Sequence, residues 1–145
     1  MTIVRDRIRE LRRVPASQLR AHPRNWRVHP QRQRQLMQGV LAEIGYADAL
    51  LVRELEDGTY ELIDGHLRAE STPDMDVPVL ILDLSAAEAE KLLALHDPLA
   101  ALAETNGELL GDLLKNTQSE DESIRAMFDE LAKEAQRSIH RLEAN

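Results

Sequence analysis

Apolar residues change their spacing several times along this chain, and each change marks a boundary between elements. After Pro30, a residue suited to opening a helix, Leu36, Met37, Val40, Leu41 and Ile44 fall at helical spacing, and Gly45 stands where a C-cap belongs. Residues 50–54 and 60–63 then read as two strands around Glu56-Asp57-Gly58, the turn signal of a β-hairpin. A sharp turn at Gly65 leads into a short helical segment closed by Pro73. The unbroken apolar run Val77-Pro78-Val79-Leu80-Ile81-Leu82 predicts a strand buried on both faces. Ser85 with Glu88 forms a capping box ahead of a helix holding Ala89, Leu92 and Leu93. Asp97-Pro98 is expected to start another helix, and Leu109, Leu110, Leu113 and Leu114 mark one more.

The two ends read differently. Residues 1–13 form a basic leader compatible with helix, and Val14 to Leu19 suggest a short strand and turn. The stretch from Leu19 to Pro30 has two prolines and no period, so it is expected to be a loop. Near the other end, Ser119 with Glu122 suggests a second capping box. Ile124, Met127, Phe128, Leu131, Ala135, Ile139 and Leu142 follow as one apolar stripe. That stripe either docks a partner or a second copy through residues 120–142, or folds back on its own core, which is the commoner outcome.

Composition narrows the class. A chain of 145 residues suits a single domain with an aliphatic core, since aromatics make up 3%. No apolar run approaches the roughly 20 residues needed to cross a bilayer, and the first residues lack a secretory signal, so a cytoplasmic location without membrane partners is expected. Cysteine is absent, which excludes disulfides, thiolate metal sites and thiol catalysis. The net charge of −8 hides an asymmetry: residues 1–34 carry +8 and the remainder −16. The basic head could meet phosphate on a nucleotide or a strand, or pair with the acidic body; composition alone does not separate these.

The segment richest in chemistry is Asp64-Gly65-His66-Leu67-Arg68-Ala69-Glu70, where a strand turns into a helix. Helix N-termini offer free N–H groups, Gly65 allows close approach, and Arg68 can fork onto phosphate oxygens. His66 could donate a hydrogen bond, act as acid or base, or bind metal. The bland alternative is an ordinary strand–turn–helix corner.

This box resembles the phosphate-binding box of the ParB/sulfiredoxin-like superfamily, which reads Gly-Glu-Arg-Arg in ParB and Gly-Cys-His-Arg in sulfiredoxin. The string from His22 to Pro30 is similar to the family's Asn-Pro-Arg-rich entry loop, Leu50-Leu51-Val52 to its "pro-Ile-x-Val" strand, and Val77-Pro78-Val79-Leu80 to the strand after the box. Residues 94–100 stand where its third nucleotide motif lies. The resemblance covers about residues 14–104 and implies an α+β fold, a small mixed sheet with flanking helices, followed by a helical C-terminal extension at 105–145. It also implies a nucleoside di- or triphosphate ligand with Mg²⁺. Asp64, Gly65, His66 and Arg68 would form the cradle, Arg24, Asn25 and Arg27 would close over the ligand, and His66 and Asp97 would serve catalysis, with Asp97 as the metal-facing carboxylate.

The departures matter. His66 and Leu67 replace the family's Glu and Arg, and His96-Asp97-Pro98-Leu99-Ala100 replaces the third motif Glu-Asn-x-x-Arg, which removes an Arg and leaves Asp97 as the only candidate metal-facing carboxylate. Without cysteine, sulfiredoxin chemistry is excluded. The acidic C-terminal helices do not suit a ParB-type DNA reader, so nucleic-acid binding is expected to be weak and non-specific at most. Among the remaining titratable groups, His22 and His29 are expected at a solvated pocket rim, Glu54 and Glu61 on the solvent side of the hairpin, and Trp26 packed under the loop. The expected function is phosphate binding with slow NTPase or phosphotransferase activity, in a setting of phage, plasmid or DNA-modification genes. The alternative is a non-catalytic regulatory or scaffolding module acting through its basic N-terminus and C-terminal helix.

Overall fold

The computed structural model describes residues 2–144; Met1 and Asn145, the outer ends of the expected leader and extension, lie outside the described residues. Five strands form one mixed sheet in the order β1-β5-β3-β4-β2. They are β1 (Ile8–Pro15), β2 (Leu19–Arg20), β3 (Leu50–Glu54), β4 (Tyr60–Asp64) and β5 (Asp76–Leu82). Helices α1 (Gln31–Glu43), α2 (His66–Ser71), α3 (Ala86–Ala101), α4 (Gly107–Lys115) and α5 (Glu122–Ala144) complete the chain. The α+β class with a helical C-terminal end is therefore as the resemblance implied.

Period-two alternation sorts the strands' side chains onto two faces. Leu50, Val52, Tyr60, Leu62, Val77, Val79 and Ile81 share one buried cluster with Val14 and Ala69. Ile63 and Leu82 point the other way, into a cluster with Ala89 and Leu93 of α3. The apolar run of β5 is explained by this double burial: Leu50 pairs with Val79 and Val52 with Ile81 in parallel register, while β1 covers the other edge of β5 antiparallel. The 50s–60s hairpin forms as expected, closed by Leu55 N–H to Thr59 O at 2.8 Å.

Four local expectations are corrected. Residues 8–13 are strand, not helix, because the segment pairs antiparallel with β5, residue by residue from Glu10 to Pro15, with Val14 facing Val77. No helix starts at Asp97: α3 runs through Pro98 to Ala101. Pro98 forfeits one intrahelical hydrogen bond and its ring crowds the Ala94 carbonyl, and the packing of Ala89 and Leu93 against the sheet offsets that cost. The cap of α5 is Asp121, whose Oδ1 accepts from Ile124 N–H at 2.9 Å; Ser119 instead donates to Glu43. Asp121 approaches so closely because Gly39 of α1 has no Cβ, which would lie 2.7 Å from its carboxylate. Last, Glu61 is largely buried rather than solvated, its carboxylate 3.2 Å from Arg53 and 3.6 Å from His22.

The tail stripe folds back on the same chain. α5 packs on α1 and α4, burying Ile124 and Ala135, and Ser138 Oγ donates to Thr105 O at 2.7 Å. Gly107 at the start of α4 permits that contact, since a Cβ there would sit 2.3 Å from the Ala135 carbonyl. No helix among the described residues is long and apolar enough to cross a membrane.

Candidate functional site

The corner between β4 and α2 is shaped by Gly65, whose φ of +99° is left-handed. A side chain there would also strike Leu50, its Cβ falling 2.4 Å from Leu50 Cδ2. The chain can thus reverse tightly against the sheet core and leave Asp64 and His66 on opposite sides of the turn. α2 has only six residues, so its dipole is small and its contribution to an anion site rests on the N–H groups of its first turn.

A cavity of about 230 Å³ opens beside this corner. Ile63 to Leu67 form its floor, Asn25 to Arg27 and His29 one wall, Gln33 and Met37 of α1 a second, and Leu93 and Asp97 of α3 a third. The fold therefore gathers Asn25, Arg27, Asp64, Gly65, His66 and Asp97, drawn from three distant stretches of sequence, around one space. The entry loop is held to α3 by Trp26, whose Nε1 donates to Leu93 O at 3.3 Å. Arg27 lies over the Trp26 ring at 4.5 Å and its Nε meets Asp97 Oδ2 at 2.8 Å. Stack and ion pair together orient the guanidinium along the cavity wall.

Two expected residues stand apart from that space. Arg24 points outward, 3.6 Å from Glu90 and largely exposed. Arg68 sits at the corner but does not line the cavity; its guanidinium pairs with Asp64 and Asp48, each at 3.2 Å.

His66 is buried, and its Nε2 accepts the His22 backbone N–H at 3.2 Å. Burial lowers its pKa below the ordinary histidine value, against the opposing pull of Glu70 and Asp64. The ring is thus neutral near pH 7, with its proton on Nδ1. His22 is buried too, instead of solvated, and its Nδ1 accepts the Arg24 N–H at 3.0 Å. Both imidazoles act as acceptors that tie the entry loop to the box. This leaves His66 poorly suited to shuttle protons through Nε2. Behind them lies Arg53, whose Nε is buried with no hydrogen-bond partner among the described residues.

Where the floor meets α3, Asp64, His96 and Asp97 each bring one ligand atom within 4.8 Å of the others. His96 was missed by sequence reasoning because nothing in its spacing ties it to Asp64; only the packing of α3 against β4 does so. A divalent ion fits this donor set. Mg²⁺ is ordinarily held by one or two carboxylates with phosphate oxygens, a role open to Asp64 and Asp97. A larger groove, about 800 Å³, runs between α1 and α5 past Leu36, Met127 and Glu130, but it touches none of the box residues.

The basic head is largely occupied by its own body. Arg5 and Arg7 meet Glu88, Arg9 meets Glu54, Arg24 meets Glu90, Arg32 meets Glu130 and Arg34 meets Glu70.

No family model matches this chain, and no curated protein does either. Solved structures do. The chain is similar to a crystal structure of the C-terminally truncated chromosome-partitioning protein ParB from Caulobacter crescentus complexed with CTP-gamma-S, with 18% identity and a TM-score of 0.58. The match covers 74% of this chain and 66% of that one, so this chain spans just under two thirds of its length. A second structure of that ParB, complexed to the centromeric parS site, matches at 18% identity and TM-score 0.48, over 90% of this chain and 71% of that one. The chain has a ParB-like fold.

Proposed function

We propose that the cavity between the entry loop, the Gly65 corner and α3 binds the phosphates of a nucleoside di- or triphosphate together with a divalent cation. The observation that carries this reading is the convergence of Arg27 and Asn25 on the same cavity as Asp64, Gly65 and Asp97. Its support from the fold is that the similar ParB structure is complexed with CTP-gamma-S. A cavity of about 230 Å³ is below the range usual for whole ligands, so it takes the phosphates while the base lies across its mouth.

In this reading Arg27 supplies the mobile charge. Stacked on Trp26 and paired with Asp97, it needs only to exchange one anionic partner for another. The first-turn N–H groups after Gly65 and the Asn25 amide add neutral donors. Arg68, pinned by Asp48 and Asp64, positions Asp64 rather than clamping the ligand. A bound divalent ion would screen the phosphate charge, with Asp64 and Asp97 holding it. Turnover is slow or absent, because His66 is buried, neutral and already engaged at Nε2.

The test is calorimetry with each common nucleotide in the presence of Mg²⁺ or Mn²⁺. Binding to the wild type is expected, weakened roughly tenfold to hundredfold by Arg27→Ala, the scale of one lost charge-assisted hydrogen bond. Arg24→Ala should leave it unchanged. No binding of any nucleotide by the wild type would end this reading. The scaffolding alternative draws less support, since the arginines of the head and the stripe of α5 are spent on contacts within the chain.

A further inference from the structure

We infer that Asp64, His96 and Asp97 form a protein-held site for a first-row transition ion of the Mn²⁺ or Co²⁺ type, filled without any nucleotide and in preference to Mg²⁺. The inference deepens the nucleotide reading and rests on it only for the ion's role, not for its binding.

Two linked observations carry it. The first is the donor set. The three side chains bring one imidazole nitrogen and two carboxylate oxygens within 4.8 Å of one another. His96 Nε2 and Asp64 Oδ2 face each other at 3.7 Å, too far for a hydrogen bond. Ligands bonded at about 2.1 Å to one ion lie roughly 3.0–3.4 Å apart at octahedral or tetrahedral angles. The His96–Asp64 pair is therefore about 0.3–0.7 Å wider than that spacing, and the remaining pairs exceed it by less than about 2 Å, within reach of side-chain rotation. A mixed nitrogen and oxygen set suits Mn²⁺, Co²⁺ or Zn²⁺, whereas Mg²⁺ favours oxygen alone.

The second observation is charge. Of the residues lining the cavity, Arg27 is the one cation, set against the two carboxylates of Asp64 and Asp97. Such a wall, net −1, repels a di- or triphosphate and attracts a cation. An ion seated on the carboxylates reverses that sign before any phosphate arrives. The neighbouring arginines serve as positioning groups. Arg27 at Asp97 Oδ2 and Arg68 at Asp64 Oδ2 orient the two carboxylates, as outer partners orient metal ligands.

The experiment titrates Co²⁺, followed by its visible absorption, and Mn²⁺, followed by loss of the free-ion paramagnetic resonance signal, into the full chain without nucleotide. One ion per chain is expected, with Mg²⁺ competing only at concentrations more than about tenfold higher. His96→Gln, Asp64→Asn and Asp97→Asn should each weaken Co²⁺ binding more than about tenfold, with circular dichroism unchanged. His140→Gln, on the exposed face of α5, should leave it intact. Failure of the wild type to bind either ion at millimolar concentration, or binding indifferent to His96→Gln and Asp64→Asn, would overturn the inference. Mg²⁺ competing on equal terms would overturn the selectivity. Nucleotide binding that persists unaltered in His96→Gln counts against this site alone, and ion binding without nucleotide binding counts against the nucleotide reading alone.

Discussion

Replacing Gly65 by alanine should destabilise the protein by about 2–5 kcal/mol, and the structure shows where that figure comes from. A left-handed backbone costs a residue with a Cβ about 1–2 kcal/mol. Gly65 has a φ of +99°, so that cost applies in full. The added methyl would then stand 2.4 Å from Leu50 Cδ2, well inside the roughly 3.5 Å of carbon contact. Leu50 is fully buried between β4 and β5 and has no free space to swing into, so forced overpacking of about 1–3 kcal/mol is added. Gly58 provides the control: its φ is +84°, yet nothing lies within 4 Å of a Cβ there. Gly58→Ala should therefore cost only the backbone part, about 1–2 kcal/mol. Urea unfolding followed by circular dichroism measures both. A third variant isolates the clash. Leu50→Ala alone should cost about 2–5 kcal/mol, but less in the Gly65→Ala background, because the truncated side chain makes room. If Gly65→Ala costs no more than Gly58→Ala, or if the double variant is additive, the packing argument for this corner is wrong.

Glu88 closes the capping box of α3 and also receives both terminal nitrogens of Arg7, which hold its pKa down to about 2 against an ordinary 4.5, with help from the Ser85 N–H. A depressed carboxyl contributes stability that is complete above pH 4.5 and is lost as pH falls toward 2. Urea midpoints measured from pH 2 to 7 should drop across that window for the wild type and more shallowly for Glu88→Gln; parallel acid limbs would contradict this. Truncation after Asn116 removes α5 but no residue of either sheet cluster, so the sheet should still unfold cooperatively with a lowered Tm, and loss of cooperative melting would place α5 in the core. With its arginines paired internally, the head should bind duplex DNA no more tightly than roughly 10⁻⁵ M at physiological salt in an anisotropy titration. Tight binding that discriminates between sequences would show that those ion pairs open readily.

Local grammar carried much of this protein into view from its residues alone. The Asp57-Gly58 turn, the Ser85–Glu88 box, the cap at Gly45 and the strand–Gly65–helix corner each depend on neighbours a few positions apart, and backbone sterics leave few alternatives there. The resemblance of the box and the entry loop to one superfamily likewise needed only an ordered set of short strings. What sequence reading misjudged depends on partners far along the chain. Residues 8–13 are rich in arginine, which helices tolerate well, and they become a strand only because β5 offers a free edge. Asp97-Pro98 looks like a helix start until Ala89 and Leu93, packed on the sheet, hold α3 straight through it. The same holds for charge: composition could not choose between phosphate and the acidic body as partner of the head, and only the fold sets Glu88, Glu54 and Glu70 beside Arg7, Arg9 and Arg34. His22 and Glu61 read as solvated residues and lie buried against each other, because desolvation is a property of packing and not of residue type. The placement of His96 beside Asp64 is the furthest from the sequence of all. It requires β4 and α3, separated by 31 residues at those two positions, to meet face to face, and no periodicity encodes a distance between elements.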